Sequence, residues 1–582
     1  MRKTKIVCTL GPATDRDGVL REMLLAGMNV ARFNFSHGSH DEHQARLDKL
    51  KQLREELNLP VAAMLDTRGP EIRLKTFAGG PVKLLTGQNF LLTARDIPGD
   101  EHGVSITYTQ LPADVHAGDT ILLDDGLVRL TVLNVDGPDI HCRVENDGMM
   151  KDRKGVNVPN VQLSMPYLSD SDRSDIEFGI EQGFDYIAAS FVRSAADVRQ
   201  LRALLNEHGA SIRIIAKIEN RQGIDNLDEI LSAADGVMVA RGDMGVEIDF
   251  TEVPIIQKNM IAKCVACGKP VITATQMLDS MMENPRPTRA EITDVANAIY
   301  DGTSAIMLSG ETAAGKYPLE AVKTMDAIAC RTEKDINYPR RMMRMSETGA
   351  RLSIATAAAH AACSTAQDIR ADAILTVSQT GTTARMVSRF HPATPVIACL
   401  TDERVQRQMA LYWGVTPILA PTANNTDQLI DNAVDAALKA ELIQPGHLVV
   451  LTAGVPVGVA GSTNMIKIHM VGGVLANGVG IGVNNACGPL CVCRSREDLK
   501  NFRDGDVLVA AYTTDDMEDY VRRAAAVISE EAGTESNAAV LGRKLTKPVI
   551  VGAGGSTRRL KSGTRVYVDC CHGVVQLAPK AE

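Results

Sequence analysis

The segment IRIIAKIEN, residues 212–220, has the pattern of a buried strand that ends in charged residues. Its uninterrupted apolar run is typical of a strand in a parallel sheet that helices cover on both faces. Seven further runs share the pattern, and helix-like amphipathic stretches follow them. In chain order the eight runs are KIVCTL (5–10), MNVARF (28–33), VAAMLD (61–66), YIAASF (186–191), IRIIAKI (212–218), GVMVA (236–240), PVITA (270–274) and SAIMLS (304–309). Eight strand–helix units favour a closed (β/α)8 TIM barrel, an α/β fold, over an open sheet.

Three segments outside the predicted barrel differ from it in pattern. Residues 71–168 contain short β-like runs cut by Gly and Asp turns, which predict a small β-barrel domain inserted after the third strand. An insertion at the active face of a barrel is a natural mobile lid. Residues 341–473 have the pattern of a second α/β domain. Residues 474–582 form a fourth segment, which begins at the Gly-rich stretch GGVLANGVGIG. The barrel domain would then consist of residues 1–70 and 169–340.

Composition places the chain among globular proteins of several domains. With 582 residues it is too long for one compact core. Its charged fraction of 23% and hydrophobic fraction of 45% are ordinary for such proteins. The formal net charge of −9 argues against a nucleic-acid-binding surface. No apolar run suits a membrane span, no signal peptide is visible, and the 12 scattered cysteines suit reduced thiols, so we expect a cytoplasmic protein.

Polar residues collect at the predicted strand ends, which meet at one mouth of a barrel. They are Arg32, Asn34 and Ser36 after the second strand, Asp66, Thr67 and Arg73 after the third, Lys217 and Glu219 at the end of the fifth, Arg241, Gly242 and Asp243 after the sixth, and Thr275 and Gln276 after the seventh. Any one of them alone can be a surface loop residue. The side-chain oxygens of Asn34, Ser36 and Asp66 carry one formal negative charge between them, which suits a monovalent cation. Together the set indicates a site for an oxyanion-rich substrate.

The charged residues of this set suggest two further ligands. The carboxylates of Glu219 and Asp243 suit a hard divalent cation that keeps open sites for ligand oxygens. Lys217, Arg32 and Arg73 supply positive charge where a phosphoryl group would lie. The alternative for Lys217 is a simple ion pair with Glu219, because an unpaired lysine on a buried strand would be costly.

The motifs that carry these residues resemble those of the pyruvate kinase family, in order, over residues 1–475. They are ARFNFSHG, LDTRGPEIR, IIAKIEN, MVARGDMGVEI, ITATQMLDSM with PTRAE, and MLSGETAAGKYP. The resemblance implies a barrel with an inserted β-domain and a C-terminal α/β domain. It also implies transfer of the phosphoryl group of phosphoenolpyruvate to ADP, which gives pyruvate and ATP in the last step of glycolysis, with Mg²⁺ (or Mn²⁺) and K⁺ as cofactors.

The resemblance assigns a role to each matching residue. Catalytic roles fall on Lys217, Thr275 and Arg73, and phosphoenolpyruvate would contact Arg32, Lys217, Gly242, Asp243 and Thr275. The nucleotide would contact Asn34, Phe35, Ser36, His37, Arg73 and, in the insertion, Lys154. Glu219 and Asp243 would hold Mg²⁺, and Asn34, Ser36, Asp66 and Thr67 would hold K⁺. Glu71 stands where potassium-dependent members carry glutamate, and Arg68 replaces the lysine often found after the Asp-Thr pair.

The segment TVSQTGTTARMVSRF, residues 376–390, predicts an effector site. A strand that runs into a helix N-terminus can bind an anion, because free N–H groups and the helix dipole favour one there. The residues concerned are Ser378, Thr380, Gly381, Thr382 and Thr383, and in the family this loop binds phosphorylated effectors. Gln379 and Thr382 stand where some members carry basic residues, which argues against fructose bisphosphate. An ordinary capped turn is the alternative.

The last segment resembles the mobile phosphohistidine domain of phosphoenolpyruvate-utilising enzymes. The matching stretches are DGDVLVAAYTTDDM, AAAVISEEAGTESNAAVLGRKLTKPVIVG and LKSGTRVYVDCCHG. Catalytic relatives place the phosphoryl-accepting histidine where this chain has Asn537, and an amide cannot accept the group in that way. We therefore expect a structural or regulatory domain. Its Cys487, Cys491, Cys493, Cys570, Cys571 and His572 suit zinc by type but not by spacing, so plain reduced cysteines are the preferred interpretation.

Two other functions are compatible with parts of the sequence. A phosphoenolpyruvate-dependent histidine phosphotransferase is opposed by Asn537 and by the lack of a recognisable ATP-grasp region. A non-catalytic effector-sensing protein is opposed by the intact set of Lys217, Glu219 and Asp243. Members of the family are usually tetrameric, so the resemblance also implies a homotetramer.

Overall fold

The computed structural model of the chain describes residues 2–346, 353–423, 425–455, 463–472, 474–482 and 484–578. The chain divides into two units. The first spans Met1–Arg351, Gln379–Ala393 and Leu400–Leu419, and the second spans Leu352–Ser378, Thr394–Cys399 and Ala420–Glu582. No helix in these described ranges is both long and apolar enough to cross a membrane.

Eight parallel strands close into a barrel in the first unit, and each overlaps one of the eight predicted apolar runs. They are β1 (Lys5–Thr9), β2 (Val30–Asn34), β3 (Ala62–Asp66), β4 (Tyr186–Ala189), β5 (Arg213–Ile218), β6 (Gly236–Ala240), β7 (Val271–Ala274) and β8 (Ala305–Leu308). Neighbours follow in chain order around the barrel, and β1 pairs with β8, where Lys5 lies opposite Ala305. The predicted TIM barrel is confirmed.

Side chains of the barrel strands alternate between two cores, as the period of two requires. In β5, Ile214, Ala216 and Ile218 pack into the layer between strands and helices. Ile215 instead packs against residues of the other strands inside the barrel. Lys217 follows Ile215 by two positions, so it also points into the barrel interior, at the carboxyl end of the strand.

Helices cover the outside of the barrel. Their bounds are Pro12–Asp15, Val19–Leu25, His40–Leu57, Asp170–Gln182, Ala195–Glu207, Arg221–Asp225, Leu227–Ala233, Arg241–Glu247, Val253–Cys267, Arg289–Asp301, Gly310–Ala313, Pro318–Glu333 and Tyr338–Ser346, with a 3₁₀ turn at Asp279–Met282. Local sequence sets where several of them begin. Ser39 with Glu42 and Thr288 with Glu291 form capping boxes that satisfy the first N–H groups of their helices.

The insertion after β3 is built of strands, as predicted. They are Ile72–Arg73, Val82–Leu84, Asn89–Thr93, Gly103–Ser105, Thr120–Leu123, Val128–Asp136, Asp139–Val144, Gly148–Met150 and Gly155–Asn157, with one short helix at Leu111–Asp114. Seven of them form one sheet, and Val82–Leu84 pairs with Gly148–Met150 in a second. The insertion has its own apolar core, which includes Phe90, Ile121 and Ile140.

The rest of the chain adds an α/β region and the terminal segment. In the α/β region the strands are Ala373–Val377, Val396–Leu400, Val415–Leu419, Leu448–Gly454 and Thr463–Met470, and the helices are Ile354–Asp368, Thr382–Ser388, Glu403–Met409 and Thr426–Lys439. The terminal strands are Val474–Asn477, Val479–Ile481, Ala486–Cys493, Val507–Ala510, Ala526–Ser529, Val549–Val551, Arg565–Asp569 and Val574–Leu577. The terminal helices are Glu518–Arg523, Asn537–Leu545 and Ser556–Arg559, with 3₁₀ turns at Asp498–Asn501 and Asp515–Met517. The domain boundaries stay predictions, and residue 473, at the last of them, lies outside the described residues.

Candidate active site

The barrel interior ends in a layer of polar side chains at the carboxyl ends of its strands. The inward-facing residues Val7, Val30, Met64, Ala188 and Ile215 belong to the interior core. The residue two positions after each is polar, and these five are Thr9, Arg32, Asp66, Ser190 and Lys217. The alternation that builds the core therefore also builds the site. Ser190 belongs to this layer too, although no strand-end motif marks it; its spacing of two from Ala188 is the signal that identifies it.

Two cations and one carboxylate are bound together in this layer. Arg32 Nε lies 2.6 Å from Asp66 Oδ2. Lys217 Nζ donates to Asp66 Oδ1 at 3.1 Å and to Ser190 Oγ at 2.7 Å. Burial alone would lower the pKa of Lys217, but the carboxylates of Asp66 and Glu219 outweigh it and raise that pKa. Lys217 is therefore a buried ammonium group at neutral pH.

Glu219 lies beside this ammonium group and is buried with it. Its Oε2 accepts the Phe191 N–H at 2.5 Å. Its Oε1 lies 3.0 Å from Lys217 Nζ, within ion-pair distance. Burial raises the pKa of Glu219, and the neighbouring Lys217 opposes that rise and favours the ionised carboxylate. The ion pair that the sequence allows is thus present, and a bound metal ion would share Glu219 with Lys217.

Asp243 supplies a second carboxylate near this cluster, and its charge raises the pKa of both Lys217 and Glu219. No three His, Cys, Asp or Glu residues of the described chain form a group that could hold a metal by themselves. Mg²⁺ commonly takes one or two carboxylates and completes its shell with water and substrate oxygens. Glu219 and Asp243 fit that pattern, as two carboxylates that follow the neighbouring strands β5 and β6.

Strained backbone surrounds the cluster at two strand ends. Phe191, two residues after β4, has φ 52°, and Thr275 and Gln276, directly after β7, have φ 64° and 52°. Residues with side chains rarely adopt positive φ, and such strain persists where the surroundings fix it. At Phe191 the conformation directs the backbone N–H to Glu219. The sequence gives no signal for these conformations.

Thr275 and Gly242 contact each other directly. The Gly242 N–H, predicted to bind the substrate carboxylate, donates to Thr275 Oγ1 at 2.8 Å. The Thr275 hydroxyl donates in turn to the Ala274 carbonyl at 2.7 Å. Arg241 fixes this turn, since its guanidinium donates to the carbonyls of Ala274 and Thr275 at 3.1 and 2.5 Å and to Asp294 at 2.6 Å.

The four residues predicted to hold K⁺ lie at the ends of two neighbouring strands. Asn34 lies opposite Asp66 in the β2–β3 register, Ser36 comes two residues after Asn34, and Thr67 follows Asp66. Asn34 Oδ1 accepts the Ser36 N–H at 3.1 Å, and the Thr67 carbonyl accepts the Ser190 hydroxyl at 2.6 Å. These two oxygens keep a second lone pair each, which suits a monovalent cation, whereas Asp66 would be shared with Arg32 and Lys217.

Phe35 is placed differently from the other predicted nucleotide contacts. Its ring is 3% exposed and stacks on His43 at a centroid distance of 4.1 Å. The ring is therefore part of the core behind the site, together with that of Phe33 two residues earlier, since residues two apart in an extended chain point to the same side.

A cavity of about 580 Å³ lies between the insertion and the barrel. The predicted site residues that line it are His37, Arg73, Lys154 and Asp243, and Glu71, Asp124, Asn157 and Glu247 also line it. Within it, Arg73 pairs with Glu71 at 2.7 Å and Lys154 pairs with Asp124 at 2.7 Å. The structure thus brings three of the six predicted nucleotide contacts to one space, His37 from the barrel and Arg73 and Lys154 from the insertion, whereas Asn34, Phe35 and Ser36 are not among its lining residues.

The predicted effector residues are divided between the two units. Ser378 belongs to the second unit, where its N–H donates to Cys399 at 3.4 Å. The other four belong to the first, where Gly381, with φ 76°, caps the helix Thr382–Ser388. Thr380 Oγ1 lies 2.9 Å from Thr382 Oγ1, and Thr383 is buried.

In the terminal segment, Asn537 is the first residue of its helix. Its Oδ1 accepts the Thr513 hydroxyl at 2.9 Å, and its Nδ2 donates to Asp515 Oδ1 at 2.8 Å. His572 Nδ1 lies 2.8 Å from Asp569. Cys491 and Cys493 lie 3.9 Å apart, and the segment's described cysteines and histidine belong to no three-residue metal group.

Comparisons with known proteins agree with this architecture along the chain. The family "Pyruvate kinase, barrel domain" matches residues 1–322, "Pyruvate kinase, alpha/beta domain" matches residues 356–469, and "PEP-utilising enzyme, mobile domain" matches residues 502–573. The pyruvate kinases of Geobacillus stearothermophilus and Bacillus licheniformis are 49% and 48% identical, over 99% of this chain and 98% and 99% of theirs. A crystal structure of a pyruvate kinase from Cryptosporidium parvum is 38% identical, with a TM-score of 0.77 over 81% of this chain and 96% of that one. The chain belongs to the pyruvate kinase family, the enzymes that transfer the phosphoryl group of phosphoenolpyruvate to ADP.

Proposed function

We propose that phosphoryl transfer takes place where the polar layer of the barrel interior meets the cavity under the insertion. The observation that carries the proposal is the buried Lys217 ammonium group, held 3.1 Å from Asp66 Oδ1 and 3.0 Å from Glu219 Oε1. A charge held in place without water stabilises charge that develops in a transition state, because it needs no reorganisation at the moment of reaction.

The buried, positively charged side chains of Lys217 and Arg32 would act on the transferred phosphoryl group. Lys217 stays protonated because Asp66 and Glu219 raise its pKa. Arg32 is held by Asp66 and by Thr9, at 2.6 and 3.0 Å, so its guanidinium is already oriented. Both would bind phosphoryl oxygens, and Arg73, on the insertion, would approach from the nucleotide side.

Two bound metal ions, one divalent and one monovalent, complete the site in this proposal. Glu219 and Asp243 would hold Mg²⁺ or Mn²⁺, and Asn34, Ser36, Asp66 and Thr67 would hold K⁺. Bound there, the ions would neutralise phosphoryl and carboxylate oxygens and orient them.

The remaining predicted residues would surround this centre. Thr275 would bind phosphoenolpyruvate at the face where the enolate is protonated, and the Gly242 N–H would turn from Thr275 Oγ1 to the substrate carboxylate. The insertion would act as a lid that brings Arg73 and Lys154 to the nucleotide, with Asn34, Ser36, His37 and the backbone of Phe35 on the barrel side.

Regulation and assembly complete the proposal. A phosphorylated metabolite would bind at Ser378 and Thr380–Thr383, and the chain would form a homotetramer. The cytoplasm is the proposed location, since glycolysis supplies the substrates there.

One assay tests the proposed site chemistry. Pyruvate formation from phosphoenolpyruvate and ADP is measured with Mg²⁺ and K⁺ present, and then with each cation omitted. We expect turnover to need Mg²⁺ and to be strongly activated by K⁺. Full turnover after chelation of divalent cations would contradict the role given to Glu219 and Asp243.

A further inference from the structure

We propose that Glu247 is a positioning residue that, together with Asn157, holds the insertion against the barrel during turnover. The inference rests on the proposed function of the insertion as a lid. Asn157 Nδ2 donates a hydrogen bond to Glu247 Oε1 at 2.8 Å, and both residues line the cavity. Neither has a role in the set of site residues described above.

On the barrel side, Glu247 belongs to the helix that carries a proposed magnesium ligand. The helix Arg241–Glu247 begins directly after β6, with Asp243 in its first turn. Glu247 is four residues further on, and residues with this spacing share one face of a helix. A contact at Glu247 therefore acts on Asp243 and Gly242 through a single helical turn.

On the insertion side, Asn157 belongs to the strand that positions the proposed nucleotide contacts. The strand Gly155–Asn157 directly follows Lys154, and its Gly155 lies opposite Arg73 in the pairing with Ile72–Arg73. The same strand pairs with Thr120–Leu123 in the larger sheet. The strand pairing thus fixes Arg73, Lys154 and Asn157 relative to one another. Holding Asn157 in place therefore also holds the positively charged side chains of Arg73 and Lys154.

The chemistry of Glu247 argues against a purely structural role. It is the last residue of its helix, where a carboxylate meets the negative end of the helix dipole and does not stabilise the helix. Burial also raises the pKa of its carboxyl group. A glutamate in this place is unfavourable for the isolated helix, and its side-chain partner is an amide on the insertion. The contact across the cavity is what accounts for it.

Steady-state kinetics of four variants in the full-length enzyme test the proposal. Glu247→Ala and Asn157→Ala should each raise KM for ADP by about tenfold, the size expected for one hydrogen bond to a charged group. KM for phosphoenolpyruvate should change less than KM for ADP, because the Lys217 cluster is untouched and only Gly242 and Asp243 are affected, through the helix. The double variant should be no worse than either single one, since both remove the same contact. Glu247→Gln keeps the accepting oxygen without the charge, so its KM for ADP should rise by clearly less than that of Glu247→Ala.

A matched control is Asn146→Ala. Asn146 Nδ2 donates to the Leu127 carbonyl inside the insertion, so this variant loses an asparagine contact that does not reach the barrel. Its KM for ADP should not change. Native-like kinetics of Asn157→Ala beside an impaired Glu247→Ala would overturn the proposal, because Glu247 would then act only through its own helix. Loss of activity in Glu247→Gln, with a shifted Mg²⁺ requirement, would also overturn it and would make Glu247 a metal ligand.

Hydrogen exchange separates failure of this contact from failure of the lid itself. ADP with Mg²⁺ should protect backbone amides of residues 72–163 in the unmodified enzyme, and that protection should weaken in Glu247→Ala and Asn157→Ala. No protection in the unmodified enzyme would overturn the lid and this contact together. Equal protection in the enzyme and both variants would keep the lid and overturn the role of Glu247.

Discussion

Two polar clusters lie at the carboxyl ends of parallel strands, and they differ in the charge that they bury. In the barrel, Lys217, Asp66 and Glu219 are buried together, and the Lys217 ammonium group lies within 3.1 Å of both carboxylates. In the terminal segment, neutral Asn537 uses both ends of its amide, with Thr513 and Asp515 as partners.

The difference fits the two proposed roles, a ligand site in the barrel and a structural contact in the terminal segment. Buried charges need compensation, and Glu219 shares its neighbouring cation, Lys217, with Asp66, so the charge balance there favours a bound cation. Asn537 needs none, since its partners are already present. An amide in place of a phosphoryl-accepting histidine therefore has a structural role in this proposal.

The sharpest test of the comparison is Lys217→Met. We expect kcat to fall by about three orders of magnitude with Mg²⁺ binding nearly intact, because the charge acts mainly in the transition state. Lys5→Met is a matched control, since Lys5 is a second buried lysine of the barrel, at the other end of its strand, where it donates to the Val415 carbonyl. It should leave kcat unchanged. A raised KM as the only effect of Lys217→Met would show that Lys217 merely binds substrate.

Glu71→Lys tests the cation requirement of the barrel cluster. Glu71 pairs with Arg73 at the edge of the cavity. We expect the variant to lose its dependence on K⁺, because an ammonium group would stand in for the ion, whereas Glu71→Gln, which adds no cation, should still need K⁺. Turnover is measured in buffer free of both potassium and sodium. Full activity of the unmodified enzyme in that buffer would refute the proposed K⁺ site.

Asn537→Ala should change stability and not catalysis. Two side-chain hydrogen bonds are lost, and their removal should cost about 1–2 kcal/mol of the free energy of unfolding of the terminal segment. Chemical denaturation followed by hydrogen exchange in residues 505–545 measures this, with turnover recorded in parallel. A fall in kcat without a fall in stability would mean that Asn537 takes part in the reaction.

The terminal segment as a whole should affect turnover least. After incubation with labelled phosphoenolpyruvate, residues 474–582 should carry no label under conditions that preserve phosphohistidine. His572 is the only histidine after His469, and it is engaged with Asp569. A chain that ends before residue 474 should keep most of its turnover, with a shift in thermal stability or effector response. Complete loss of turnover in a folded, correctly assembled truncated protein would contradict this.

Much of the fold and many of the candidate residues followed from local sequence. Apolar runs gave the barrel strands, and motifs at their ends gave Lys217, Glu219 and Asp243. What the sequence did not give depends on backbone conformation or on distant pairs. The positive φ of Phe191 accompanies a hydrogen bond from its N–H to Glu219, which is 28 residues away in the chain. The contact between Asn157 and Glu247 joins residues of two different cores, and no periodicity relates them.

The seam between β1 and β8 sets the order in which this site can come into existence during synthesis. The barrel can close only after Ala305, which pairs with Lys5, has left the ribosome. The insertion has its own core between Ile72 and Val158, all of it translated long before that moment. Chain segments with local contacts form early, while pairings between distant segments are slow. The insertion can thus fold before the barrel that it would cover has closed.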